Sequence, residues 1–200
     1  MSLERIIRKL DLKEGKEVYY QMLINDFAPC EVKPWKKIEK LVREGLYEIY
    51  GMWEGKTLLA YGFLSKMRND NYLLMDYFAV NETLRGRGYG QYFLTHIKEK
   101  YPGIAGIVFE VEDVKKAENL EDMKIRTKRI QFYEKAGLKL YPLYAKIYDA
   151  DYQIMFFSGN EEFPSVKEMI EIYMGIYDVI LGQEKMVKYL ELTMDNGTKK

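Results

Sequence analysis

The chain has 200 residues, 48% of them hydrophobic, and its 31 basic side chains balance 31 acidic ones. That balance leaves no global field to draw the chain onto nucleic acid or an anionic membrane, so neither is an expected partner. A single cysteine, Cys30, excludes an internal disulfide, and with one histidine, His96, it argues against a metal centre or a Ser-His-Asp triad.

Leu3 to Leu10 reads as a first strand, and Val18, Tyr19, Met22, Leu23 and Phe27 form a helical stripe that breaks at Pro29. Pro34 starts a second helix in which Trp35, Ile38, Leu41 and Val42 repeat at helical spacing. Gly45 stands where a helix end favours a left-handed residue. Leu46 to Trp53 and Thr57 to Lys66 read as strands around the turn Glu54-Gly55, with Tyr72 to Val80 as the third, which predicts an antiparallel meander. Gly55-Lys56-Thr57 resembles the end of a phosphate-binding P-loop. The glycine that loop requires is replaced by Tyr50, and the tripeptide belongs to a hairpin turn, so that reading is discarded.

Arg85-Gly86-Arg87-Gly88-Tyr89-Gly90 follows the third strand and opens the helical pattern Tyr89, Phe93, Ile97, Tyr101. A strand therefore ends in a glycine-rich turn that becomes a helix N-terminus. Glycine admits positive φ and close approach of a ligand to the main chain, and the first helical N–H groups lack internal partners and carry the positive end of the helix dipole. Such a turn suits an anion, in particular a pyrophosphate. The dinucleotide fingerprint G-x-G-x-x-G is not met, because Gln91 holds its third glycine position and Gly90 comes one residue early.

Past the helix of residues 88–100, Pro102-Gly103 turns into a buried strand, Ile104 to Val111, and the strand–helix–strand order favours a parallel pair with Tyr72 to Val80. Asp113 to Arg129 alternates charges with few apolar residues and reads as a solvated loop leading into a helix that ends at Ala136, with Gly137 as its cap. Leu138 to Ile147 and Asp151 to Phe157 form a closing strand pair. Ser165 with Glu168 makes a capping box for a helix whose face is Val166, Met169, Ile170, Tyr173, Ile176, Tyr177 and Ile180. A shorter helix is expected from Gln183 to about Met194. This tail lacks a lysine-rich polar face, so it is expected to pack on the domain or on a second copy, giving a homodimer, rather than on a membrane.

Val80, Arg85-x-x-Gly88-x-Gly90 and, downstream, Phe132-Tyr133-Glu134-Lys135-Ala136-Gly137-Leu138 together resemble the GCN5-related N-acetyltransferase (GNAT) family, whose R/Q-x-x-G-x-G/A turn holds the pyrophosphate of acetyl-coenzyme A. Phe27-Ala28-Pro29, Glu31, Pro34-Trp35 and the pair Glu110, Glu112 also resemble a bacterial branch of that family. The resemblance implies an α/β fold of GNAT type: a mixed, mostly antiparallel sheet with a splayed parallel strand pair and flanking helices. The acetyltransferase domain would span residues 1–160, and residues 161–200 would form a helical extension packed on it. Acetyl-coenzyme A is the implied acyl donor. Parting strands leave unpaired main-chain groups, and the resemblance places these at Phe78, Ala79 and Val80 along the pantetheine arm, with an N–H near Phe78 facing the thioester oxygen. Arg85, Gly86, Arg87, Gly88, Tyr89 and Gly90 would hold the pyrophosphate.

Tyr133 aligns with the tyrosine that the family uses as general acid or hydrogen-bond donor to the departing sulfur. A phenol near pKa 10 is a weaker acid than a thiol near about 8.5, so hydrogen-bond donation is the expected role. The attacking amine must lose a proton, since a lysine-like amine is neutral only about once in a few thousand molecules at neutral pH. Asp76 interrupts an otherwise apolar strand and is one candidate base; a buried ion pair is its alternative role. Glu110 and Glu112 share one face of the next strand as rival bases or ammonium ligands, with pairing to Arg126 or Arg129 as the alternative. Glu31 lies in the loop where the family shapes its acceptor pocket.

The expected activity is direct acetyl transfer from acetyl-coenzyme A to a primary amine in a ternary complex, the acceptor being a small molecule or a peptide. A catalytically silent acyl-coenzyme A sensor is the alternative, and an enzyme of another pyrophosphate cofactor, NAD or FAD, is a third. With no signal sequence and no apolar run long enough to span a bilayer, a soluble cytoplasmic protein is expected.

Overall fold

The computed structural model describes residues 4–68 and 71–195. The chain divides into two compact units, Met1–Lys66 with Met75–Pro102, and Met67–Leu74 with Gly103–Lys200.

The first unit is built on strands β1 (Arg5–Lys9), β2 (Tyr47–Glu54), β3 (Thr57–Lys66) and the greater part of β4 (Tyr72–Val80), in the order β1-β2-β3-β4. Ile7 faces Met52 across the β1–β2 ladder and Ile49 faces Phe63 across β2–β3, both antiparallel, as the meander pattern predicts. Leu3, placed in the first strand by sequence, lies outside the described residues. Helix α1 (Leu12–Val18) starts at a capping box between Asp11 and Glu14, runs on as a π-helical stretch, Tyr19–Leu23, and ends in the short α2 (Ile24–Asp26). Helix α3 (Trp35–Arg43) starts after Pro34 and buries Trp35, Ile38 and Leu41, while α4 (Tyr89–Ile97) buries Phe93, Leu94 and Ile97. Like Leu23, Met52 and Phe63, these side chains are buried away from water.

In the second unit the first residues of β4 are followed across the sheet by β5 (Gly106–Glu112), β7 (Ala150–Ser158), β6 (Lys139–Ile147) and β8 (Leu190–Met194). Ala105 N–H donates to Asn71 C=O (2.9 Å), where β4 and β5 begin side by side. They are the one parallel pair of a mixed, mostly antiparallel sheet, the expected fold class. Helix α6 (Val166–Leu181), capped by Ser165 and Glu168, places Met169, Tyr173, Ile176, Tyr177 and Ile180 in a core with Val108, Leu143, Ile154 and Phe156.

Two expectations are corrected here. The charged stretch read as a loop is helical from Leu120 onward: α5 (Leu120–Lys135) begins at Asn119, whose side chain accepts from the amides of Glu121 and Asp122. Its charges pair at helical spacing, Asp122 with Arg126 (2.9 Å), which an apolar-periodicity reading does not register. The tail segment expected to be helical to Met194 leaves α7 (Gln183–Tyr189) at Leu190 and becomes β8, pairing antiparallel with β6 from Ile147↔Leu190 to Leu143↔Met194. An open strand edge supplies ladder bonds that outweigh the helical preference of Leu190, Glu191, Leu192 and Met194, which sums to little over so short a segment. No helix among the described residues is long and apolar enough to cross a membrane.

Candidate functional site

The glycine turn lies in the first unit and is held from both sides. After β4, Asn81 donates its amide to Leu59 C=O (2.9 Å), and its side-chain oxygen accepts from Thr83 N–H (3.2 Å), closing a short 3-10 turn over Glu82–Leu84. Arg85 is extended, Gly86 has φ 76° and Gly88 has φ 81°, and α4 starts at Tyr89. These left-handed dihedrals are open to glycine and costly for other residues. A Cβ built at Gly86 or Gly88 would meet no atom within 4 Å, so the main chain there is open to a ligand.

The amides decide whether an anion fits. While Arg87 closes the turn at residues 85–86, among the described residues no backbone carbonyl accepts from the N–H groups of Gly86, Gly88, Tyr89 or Gly90. They lie at the positive end of α4 with their hydrogen-bonding capacity unspent, which suits the oxygens of a diphosphate. Arg85 and Arg87 are exposed beside them. Below the turn, Gly90 is buried and Phe78 stacks on Phe93 at 5.1 Å, locking α4 to the end of β4. Ala79 and Val80 are half-buried, and Val80 C=O accepts from Arg85 Nε (3.2 Å).

The loop between α2 and α3 is anchored to β4 by polar side chains. The Tyr77 hydroxyl donates to Glu31 C=O (2.8 Å) and accepts from Lys33 N–H (2.8 Å), while Tyr19 donates to Lys33 C=O (3.0 Å). Phe27 packs edge-on against Tyr77. The structure places Asp76 under this loop: its side chain is 2% exposed and pairs with Lys33 Nζ (2.7 Å) and with the Tyr47 hydroxyl. Asp76 and Glu31 are therefore parts of one loop-anchoring cluster, and Asp76 forms the buried ion pair that was its alternative role. Lys33 and Tyr47 gave no signal in the sequence, because a lysine in a loop and a tyrosine opening a strand have no periodicity to betray them.

The remaining candidates, Glu110, Glu112 and Tyr133, belong to the second unit. Glu112 pairs with Arg129 of α5. Glu110, two residues earlier on β5, accepts from the hydroxyls of Tyr173 and, at 2.6 Å, Tyr177. Burial, aided by the charge of Glu110, pushes the Tyr173 hydroxyl well above the usual phenol range, so it remains a donor. Those two tyrosines are spaced i, i+4 on the helical face read from sequence as apolar; their hydroxyls were the missed signal. Tyr133 is 8% exposed, with its ring against Phe109 (5.3 Å) and Phe132 (5.2 Å). Burial pushes its pKa up to about 12, with Arg129 lowering and Glu112 raising it. The Tyr133 hydroxyl is thus protonated throughout the physiological range.

No protein-family model matches the sequence, and no curated protein does. Solved structures do match. A protein assigned as a GNAT-family acetyltransferase, from Bacteroides thetaiotaomicron, is similar with a TM-score of 0.72 and 19% identity, over 89% of this chain and 99% of that one. The ribosomal-protein-S18-alanine N-acetyltransferase from Escherichia coli is similar at 0.59 and 16%, over 82% and 99%. The spermidine N-acetyltransferase from Vibrio cholerae, solved in complex with CoA and spermine, is similar at 0.57 and 11%, over 78% and 96%. The chain has the GNAT acetyltransferase fold.

Proposed function

We propose that this protein is an acetyl-coenzyme A-dependent N-acetyltransferase that moves an acetyl group to a primary amine by direct attack. The observation that carries the reading is the set of unspent amides of Gly86, Gly88, Tyr89 and Gly90 at the N-terminus of α4, in a chain with the GNAT fold. Structures of that fold bind CoA, the Vibrio cholerae enzyme among them.

In this reading the turn amides, with Arg85 and Arg87, bind the diphosphate, and main-chain groups of Phe78, Ala79 and Val80 bind the pantetheine arm. Val80 C=O has a second lone pair, so its bond from Arg85 leaves it able to accept again. Acetyl-coenzyme A supplies the activated acetyl group. The amine nitrogen forms a bond to the acetyl carbon, the carbon–sulfur bond breaks, and the Tyr133 hydroxyl donates a hydrogen bond to the sulfur as its charge grows. The ammonium proton passes, directly or through water, to a carboxylate, with Glu110 and Glu112 as the candidates. The Tyr77 hydroxyl, donating to Glu31 C=O, positions Glu31 on the acceptor side, and Asp76 holds Lys33 of the same loop. Alignment of the reactants supplies most of the rate enhancement.

The test is thiol release from acetyl-coenzyme A across a panel of polyamines, amino acids, amino sugars and peptides. Amine-dependent release is expected with at least one class, and Tyr133→Phe should lower the maximal rate about 10- to 100-fold with little change in coenzyme A affinity. Binding of acetyl-coenzyme A without turnover on any amine would instead favour a silent acyl-coenzyme A sensor.

A further inference from the structure

We infer that Asp26 is a positioning residue for the diphosphate site, acting through Arg85; the inference rests on the proposed acetyl-coenzyme A site. Asp26 is the last residue of α2, and its carboxylate is shared. Oδ2 accepts from the Tyr61 hydroxyl (2.7 Å) and Oδ1 accepts from a terminal nitrogen of Arg85 (3.3 Å). Tyr61 is fully buried on β3, and burial, then its bond to Asp26, holds its hydroxyl protonated. It can therefore only donate to the carboxylate, which fixes the carboxylate in place.

Arg85 is gripped twice. Its Nε donates to Val80 C=O at the end of β4, and its terminal nitrogen reaches Asp26 at the end of α2. A flexible side chain is thus fixed one residue before Gly86, yet it stays 54% exposed, with further guanidinium donors to offer an anion. An unrestrained arginine loses rotamer freedom when it grips a phosphate; here much of that loss is taken on folding. The same carboxylate also offsets the arginine's charge. The two effects have opposite signs on anion binding, so experiment separates them.

Asp26→Asn keeps the size but leaves a single acceptor oxygen for two donors, Tyr61 and Arg85, and it removes the offsetting charge. Isothermal titration should be done on the parent and on Asp26→Asn with two probes, coenzyme A and pantetheine, which lacks the diphosphate. We expect Asp26→Asn to weaken coenzyme A by about fivefold, to leave pantetheine unchanged, and to be partly rescued by Asp26→Glu. Tyr61→Phe, which frees the carboxylate without removing it, should weaken coenzyme A to a smaller degree and serves as the second variant if Asp26→Asn fails to fold. Equal or tighter binding of coenzyme A by the variants overturns the inference, as does equal weakening of both probes, which would mark a general structural role. A parent that does not bind coenzyme A defeats the proposed function instead.

Discussion

The two units present opposite kinds of candidate chemistry. In the first, the anion cradle is made of backbone: the unspent amides of Gly86, Gly88, Tyr89 and Gly90, set by two left-handed glycines and the start of α4. In the second, Glu110, Glu112 and Tyr133 are side chains whose state depends on partners from α5 and α6. A backbone site needs little beyond local conformation, whereas a side-chain site is only as good as the packing that holds it.

Glycine-to-alanine changes sharpen that contrast. In the second unit Gly106 on β5 lies under the Phe156 ring, and an added Cβ would fall inside its contact distance. Gly106→Ala should therefore cost about 3 kcal/mol of stability, read by denaturant unfolding. Gly86→Ala has no clash to relieve and only the left-handed φ to pay for, so about 1 kcal/mol is expected, with coenzyme A affinity falling more than stability does. Equal losses at the two positions would break the comparison.

Acid titration probes the first unit. Glu48 accepts from Lys9 Nζ (2.8 Å) and Tyr101 (2.6 Å) and pairs with Lys66 (3.0 Å). Burial opposes its ionisation, but these partners win and hold its carboxyl at about 2, below the ordinary 4.5. The native state then binds fewer protons than the unfolded state between those values. The stabilisation, about 3 kcal/mol, is complete above pH 4.5 and lost as pH falls toward 2. Glu48→Gln should flatten that acid limb of stability; an unchanged limb would place its origin elsewhere.

A smaller effect is expected in the second unit, where Tyr177→Phe leaves Glu110 one donor short. A loss of about 1–2 kcal/mol in stability is predicted by thermal unfolding, together with a shift in the pH–rate profile if Glu110 takes the ammonium proton. An unshifted profile would leave Glu112 as the remaining proton acceptor.

What could be read from the chain follows the same division. The meander, the glycine turn, α4 and the capped α6 were legible because each is written in local terms: period-two strands, left-handed glycines, a Ser165–Glu168 capping box. The start of α5 was hidden because its stability comes from charge pairs and the Asn119 cap rather than an apolar stripe, with only Ile130 and Tyr133 buried. β8 was hidden because the β6 edge, Leu143–Ile147, which lies far upstream in the chain, decides its conformation. Within the site, the role of Asp76 depends on Lys33 and Tyr47, and that of Glu110 on Tyr173 and Tyr177. These partners are distant in sequence, so residue type marked the carboxylates without revealing their company.

Calorimetric titration with acetyl-coenzyme A of the parent and of Gly88→Glu tests the backbone cradle most directly. An added Cβ at Gly88 would meet no atom within 4 Å and Gly88 is exposed, so the charge of the new side chain and the strained φ act on the anion site rather than on the core. Saturable binding by the parent and its loss in the variant is the predicted result. A parent that gives no binding heat, or a variant that binds as the parent does, would contradict the account.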